Sequence, residues 1–115
     1  MKIFIILSVI VFTGLLFSGS VNAQKVFSVQ YQSQADVKVF VIDYESQADL
    51  CVFKVKYESQ AGKNDGTWFF VHYESQADKK IYFVDYESQS DLKIFFVDYE
   101  SQAGWKNKSK YHLME

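Results

Sequence analysis

The carboxylates, the two histidines and the single cysteine are the residues of this chain with the clearest chemical potential. Asp43 and Glu45, Asp85 and Glu87, and Asp98 and Glu100 each flank a tyrosine. Residues two apart share one face of an extended strand, so each pair could offer oxygen ligands to Ca²⁺. Gln30 and Lys56 break the pairing in two sister positions, and charge on a strand also discourages edge-to-edge aggregation. No metal site is assigned. Cys51 with His72 or His112 could in principle supply a nucleophile and a base. His72 stands where sister segments carry Asp, Lys or Gln, which marks an exposed strand position, and His112 lies near the end of the chain. There is no hydrolase elbow, phosphate-binding glycine loop, zinc spacing or EF-hand loop. The residues therefore point to a non-enzymatic protein with no catalytic residues and no cofactor; a Cys/His-dependent enzyme is the weakest alternative.

These residues are set in a repeat. Six words recur: Tyr31-Gln-Ser-Gln-Ala-Asp36, Tyr44-Glu-Ser-Gln-Ala-Asp49, Tyr57-Glu-Ser-Gln-Ala-Gly62, Tyr73-Glu-Ser-Gln-Ala-Asp78, Tyr86-Glu-Ser-Gln-Ser-Asp91 and Tyr99-Glu-Ser-Gln-Ala-Gly104. The tyrosines step by 13, 13, 16, 13 and 13 residues, so Tyr31, Tyr44 and Tyr57 map onto Tyr73, Tyr86 and Tyr99 with a period of 42. The chain is a duplicated unit of three short repeats. Ser46-Gln47 and Ser88-Gln89 typify the core of the word, whose hydroxyl and amide can bond the backbone and close a bend. In repeat proteins such shared residues are usually scaffold, and function tends to lie in what differs between repeats.

Each word is preceded by a strand. Four residues before the tyrosine stand Phe27, Phe40, Phe53, Phe69, Tyr82 and Phe95; two before it stand Val29, Ile42, Val55, Val71, Val84 and Val97. Phe, Val and Tyr at alternate positions predict a half-buried strand with that column inward, burying Phe40, Ile42, Tyr44, Phe95, Val97 and Tyr99. A second apolar column, five before the tyrosine, is Val26, Val39, Val52, Trp68, Ile81 and Ile94. It shares the opposite, polar face, so part of that face should be covered by another segment. Cys51 occupies the slot of Lys38, Lys80 and Lys93 and is expected to sit on a polar face. Trp68, Trp105, Phe70, Phe83 and Phe96 are the candidates for an exposed aromatic patch, with Trp68 and Trp105 the expected ligand-binding pair. Tyr111 could begin a degenerate seventh repeat.

The first 23 residues read as a cleavable leader. Met1-Lys2 is a basic start, Ile3 to Phe17 an apolar run, and Val21-Asn22-Ala23 fits the small-x-small pattern before a cleavage site. The expected mature chain starts at Gln24 and forms a single domain over 24–115, secreted or periplasmic, with no stable membrane insertion after cleavage. Without the leader, 11 lysines and no arginine face 14 carboxylates, a formal charge of −3. Such a chain lacks the positive footprint of a nucleic-acid binder. One cysteine allows no internal disulfide, so stability must come from packing or topology. The chain is expected to be a monomer.

Thirteen residues are too few for a solenoid coil or a propeller blade. They provide one strand and a bend, and three such units with a spacer make one lap of a small closed all-β structure. The second half makes a second lap, and corresponding strands of the two laps are natural partners, about 42 residues apart. The reiterated words, with strands such as Val39-Phe-Val-Ile-Asp43 and Ile94-Phe-Phe-Val-Asp98 between them, resemble the septoil-knot domain family over about residues 26–113. That resemblance implies a two-lap torus-knotted chain and carries no activity with it. An unknotted β-roll or barrel could be built by the same duplication. On function, the sequence supports a non-enzymatic binding or structural module, with a fibre or matrix subunit as alternative; charge in every repeat opposes fibre formation.

Overall fold

The computed structural model describes residues 24–60 and 63–115; the expected leader lies outside the described residues. Seven strands run in the order β1 (Lys25–Ser28), β2 (Val37–Val41), β3 (Leu50–Lys54), β4 (Thr67–Phe70), β5 (Lys79–Phe83), β6 (Leu92–Phe96) and β7 (Gly104–Trp105). Between them each word folds into a short 3-10 turn. The N–H of its Gln donates to the tyrosine carbonyl in all six words, at 2.9–3.0 Å. The bend is therefore closed by backbone. The Gln side chain assists in two words, where Gln60 Oε1 accepts from the Lys56 and Tyr57 amides and Gln102 Oε1 from the Tyr99 amide.

β1 to β6 form a closed, all-parallel barrel in the order β1–β5–β2–β6–β3–β4 and back to β1. Strands of the first half alternate with strands of the second. Corresponding strands pair 44 residues apart, as in Lys25↔Phe69, Val37↔Ile81 and Leu50↔Ile94. β1–β5 and β2–β6 pair 53 apart, as in Val26↔Lys79 and Val39↔Leu92, and the β3–β4 closure pairs 14 apart, as in Phe53↔Thr67. Six equivalent hydrogen bonds ring the barrel just beyond the strand ends: Val29 to Ile81, Val84 to Val39, Ile42 to Ile94, Val97 to Val52, Val55 to Trp68 and Val71 to Val26, each N–H to O at 2.8–2.9 Å. A parallel barrel leaves no strand edge open to another chain among these six.

The strand order explains the interrupted rhythm. From β1 to β2 and from β2 to β3 the chain moves two places round the ring. A third such move would land on β1. The chain instead moves one place to β4, and the 16-residue spacing falls at that step. Gly66 ends this spacer with φ +93°, and a Cβ there would collide with the Cys51 carbonyl and lie 2.9 Å from the Gly104 amide nitrogen. Only glycine fits both the backbone and the space.

The barrel interior is the column five before each tyrosine. Val26, Val39, Val52, Trp68, Ile81 and Ile94 are fully buried, with Val37, Leu50 and Leu92 in the layer below. This corrects the expected face. Ile42 and Val97 are buried, but Phe40 and Phe95 are only half-buried on the outer face, and Tyr44 and Tyr99 are exposed. The reason is volume: a six-stranded barrel encloses too little space for five phenylalanines and seven tyrosines, and it is filled by aliphatic side chains and one indole. Each aliphatic residue enclosed in this way contributes about 1.5–3 kcal/mol.

The tail does not begin a seventh repeat. β7 pairs antiparallel with β3 through Cys51↔Gly104 and Leu50↔Trp105, and a 3-10 helix follows over Lys108–Met114. Met114 is fully buried in the core, and its carbonyl accepts the Gln24 side-chain amide at 3.1 Å. Gln24 precedes β1, so the tail seals the end of the barrel at which the parallel strands begin.

Candidate functional site

Four aspartates of the words have a structural task. The Oδ2 atoms of Asp36, Asp49, Asp78 and Asp91 accept the backbone N–H of Lys80, Lys93, Lys25 and Lys38 at 2.9–3.0 Å. The aspartate amides donate back to the carbonyls of those same lysines at 2.7–2.8 Å. Each pair is a two-bond latch between one word and a strand 44 or 53 residues away. In the last word Gly104 replaces the aspartate and pairs with Cys51 within β7. Asp49 does most: it is buried, its Oδ1 accepts Asn107 Nδ2 at 3.1 Å, and its carbonyl accepts the Lys106 and Asn107 amides.

Cys51 faces outward like its lysine counterparts, but β7 covers it, so the expected exposure is corrected to full burial. Burial pushes its thiol above the ordinary value of 9.0; the Glu45 carboxylate adds to the rise and the Lys106 ammonium opposes it. A protonated, covered thiol is a poor nucleophile. His72 and His112 are both exposed. The carboxylates flanking the tyrosines are exposed as well, and no three His, Cys, Asp or Glu side chains converge on a metal-sized site among the described residues.

The two tryptophans expected to bind ligand are not paired on a surface. Trp68 is fully buried inside the barrel, because it occupies the inward column, and meets Phe70 edge-on at 6.1 Å. Trp105 is half-buried; its indole N–H donates to the carbonyl and the side-chain oxygen of Asn64 at 3.2 and 3.1 Å, and its ring lies 5.7 Å from that of Tyr111. It fastens the tail to the mid-chain spacer.

Two surfaces remain. The first is the set of words. Tyr31, Tyr44, Tyr57, Tyr73, Tyr86 and Tyr99 are all 65–68% exposed, an even display of six large aromatic side chains. Among the described residues, the hydroxyls of the word tyrosines from Tyr31 to Tyr86 and of the serine in each Ser-Gln pair, including Ser46 and Ser88, make no hydrogen bond within the chain, nor do the side chains of Gln47 and Gln89; in the fifth word the extra serine, Ser90, donates its hydroxyl to the Glu87 carbonyl at 2.7 Å. Open polar clefts lie beside the words. One of about 590 Å³ is lined by Gln32, Ser33, Ala35, Asp36, Lys38 and Asp91, and one of about 420 Å³ by Glu87, Ser88, Ser90, Lys93 and Lys110. Lys93–Glu87, Lys80–Glu74, Lys25–Glu58 and Lys106–Glu45 ion pairs at 3.3–3.8 Å decorate the outer face. Exposed as they are, such pairs add little stability.

The second surface is the mouth of the barrel at which the strands end. Three residues before each tyrosine, still on the inward side, stand Ser28, Phe83, Val41, Phe96, Lys54 and Phe70 in ring order. The interleaving of the two halves puts a phenylalanine at every second place. The sequence named these three among its aromatic candidates, but only the strand order brings them together. The phenylalanines are half-buried against the core, Val41 is 38% exposed, and Lys54 is exposed with its Nζ over the Phe96 and Phe70 rings.

A closed parallel barrel wound from two interleaved halves, with its latches and its six outward words, defines the class of this protein: an all-β repeat domain whose halves fold around each other. The model of a family described as the 7(1) septoil knot domain matches residues 23–106, and the chain belongs to that family. Neither a curated protein nor a solved structure matches it.

Proposed function

We propose that this is an exported, non-enzymatic binding module that presents its six words to a polymer of repeating polar units, a glycan being the best chemical fit. One observation carries the reading. The interior column varies in size from Val to Trp, whereas Tyr, Ser and Gln recur in all six words although most of their side chains are exposed and unused by the fold. Shared residues of a repeat are usually scaffold, but these side chains are mostly exposed and make few bonds within the fold, which leaves them free to meet a ligand. Tyrosine supplies rigid, amphipathic contact area at small entropic cost, and serine and amide groups supply adaptable hydrogen bonds. A flat ring beside hydroxyl, amide and carboxylate groups suits the apolar face and the hydroxyls of a sugar. Six equivalent sites on one rigid body raise avidity by about 10²–10⁴ toward a repeating target.

The double winding serves this role outside the cell. We infer that it is drawn into the knot for which the family is named and that threading slows unfolding without a disulfide. The test is a glycan-array and polysaccharide pull-down screen of the chain from Gln24, followed by Tyr→Ser substitution of two, four and six tyrosines. Affinity should fall in steps while circular dichroism is unchanged. A six-fold variant that folds and binds as the parent does would overturn the reading.

A further inference from the structure

The ammonium of Lys54 stands 4.7 Å from the ring centroid of Phe96 and 5.6 Å from that of Phe70. β3 lies between β6 and β4, so the two rings flank Lys54 on either side of the mouth wall. Phe83 completes the set from β5. Ring faces attract cations through their quadrupole, and partly desolvated aromatic clusters are the usual receptors for quaternary ammonium groups. The mouth thus already holds an alkylammonium, supplied by the chain itself. A primary ammonium is strongly hydrated and surrenders that hydration reluctantly. A quaternary ammonium is weakly hydrated, and its methyl groups also bury apolar surface against the same rings.

The rim adds direction. The residues immediately before the tyrosines, all exposed, follow the strand order as Gln30, Asp85, Asp43, Asp98, Lys56 and His72. Three aspartates therefore occupy one continuous arc, on β5, β2 and β6, beside the Phe83, Val41 and Phe96 side of the mouth, with Lys56 and His72 on the opposite arc. Such an arc draws a cation inward. It also repels the phosphate of a phosphocholine headgroup, which favours a free solute over a lipid.

We propose that the open mouth is a binding site for a small quaternary ammonium solute and that Lys54 is its built-in competitor, seated on the rings when the site is empty and released to water when it fills. The site shares no residue with the words, so it stands or falls independently of the glycan reading. The probe is tetramethylammonium chloride, titrated into the chain from Gln24 at constant ionic strength with sodium chloride as the control, while the ring resonances of Phe70, Phe83 and Phe96 are followed. A saturable shift is expected, specific to tetramethylammonium. Lys54→Ser should bind about two- to five-fold more tightly, the competing exposed cation–π contact having been removed. Lys54→Arg, which keeps a competitor, should bind no more tightly than the parent and covers the case in which Lys54→Ser misfolds. Asp43→Asn with Asp98→Asn should weaken binding, and Phe96→Ala should abolish it. Equal shifts with sodium, or no saturation in either the parent or Lys54→Ser, would overturn the proposal. Sedimentation with phosphatidylcholine vesicles without a response to tetramethylammonium would overturn it in favour of a lipid headgroup.

Discussion

Replacing Asp49 by Ala tests the latches where they carry most. The substitution removes the acceptors of the Lys93 amide, at 2.9 Å, and of Asn107 Nδ2, at 3.1 Å, inside a residue that is 5% exposed. Hydrogen bonds to a charged group are worth about 1.5–3 kcal/mol each, and a donor left buried without a partner adds its desolvation cost. One of the two donors can regain water on relaxation, so we expect a loss of about 3–4 kcal/mol. Asp36→Ala breaks the equivalent bond to Lys80, also 2.9 Å, but Asp36 is exposed and the freed amide can turn to water. Its loss should be about 1 kcal/mol. Asp49→Asn keeps an acceptor oxygen and should fall between them. The assay is equilibrium unfolding in guanidinium, incubated until the folding and unfolding branches coincide. Equal losses for Asp49→Ala and Asp36→Ala, within about 0.5 kcal/mol, would refute the idea that burial sets the strength of these latches.

Three further outcomes are expected. Refolding from denaturant should take seconds or longer, because the barrel strands pair at separations of 44 and 53 residues apart from the β3–β4 closure; with no proline in the chain, completion in milliseconds would contradict this. Cys51 should react with iodoacetamide only as fast as the chain opens. Because its folded thiol titrates above the unfolded one, its contribution to stability is whole below the unfolded value and is lost as pH rises through the folded value, and Cys51→Ala should remove that alkaline slope in thermal melts. Met114→Ala should cost about 2–5 kcal/mol, as for a fully buried side chain, and a change near zero would show that the tail does not seal the barrel.

Much of the architecture is legible in the spacing. The 42-residue duplication anticipates the pairing of β1 with β4, β2 with β5 and β3 with β6, which the structure shows. The face is not legible from alternation, because both parities of each strand are apolar. Taking the tyrosine as buried put Phe95 inside and Ile94 outside, the reverse of what the structure shows; barrel volume decides it, and volume depends on strand number. Cys51 could not be placed from its lysine sisters, since β7 covers that strand alone. The latch partners of Asp36 and Asp49 lie 44 residues away, beyond any local pattern. Phe70, Phe83 and Phe96 stand out in the sequence as a run of differences between the halves, but their meeting at one mouth follows only from the interleaved order.

Scalar couplings across hydrogen bonds, measured by NMR on the uniformly labelled chain from Gln24, test the interleaved closed barrel most directly. Six should connect the amide nitrogen of Val29 to the carbonyl of Ile81, Val84 to Val39, Ile42 to Ile94, Val97 to Val52, Val55 to Trp68 and Val71 to Val26. Together they visit every strand of the barrel once and return to the start. Couplings between residues 13 apart in successive repeats anywhere other than the β3–β4 closure, or absence of the Val55–Trp68 and Val71–Val26 pair that closes the ring, would contradict it.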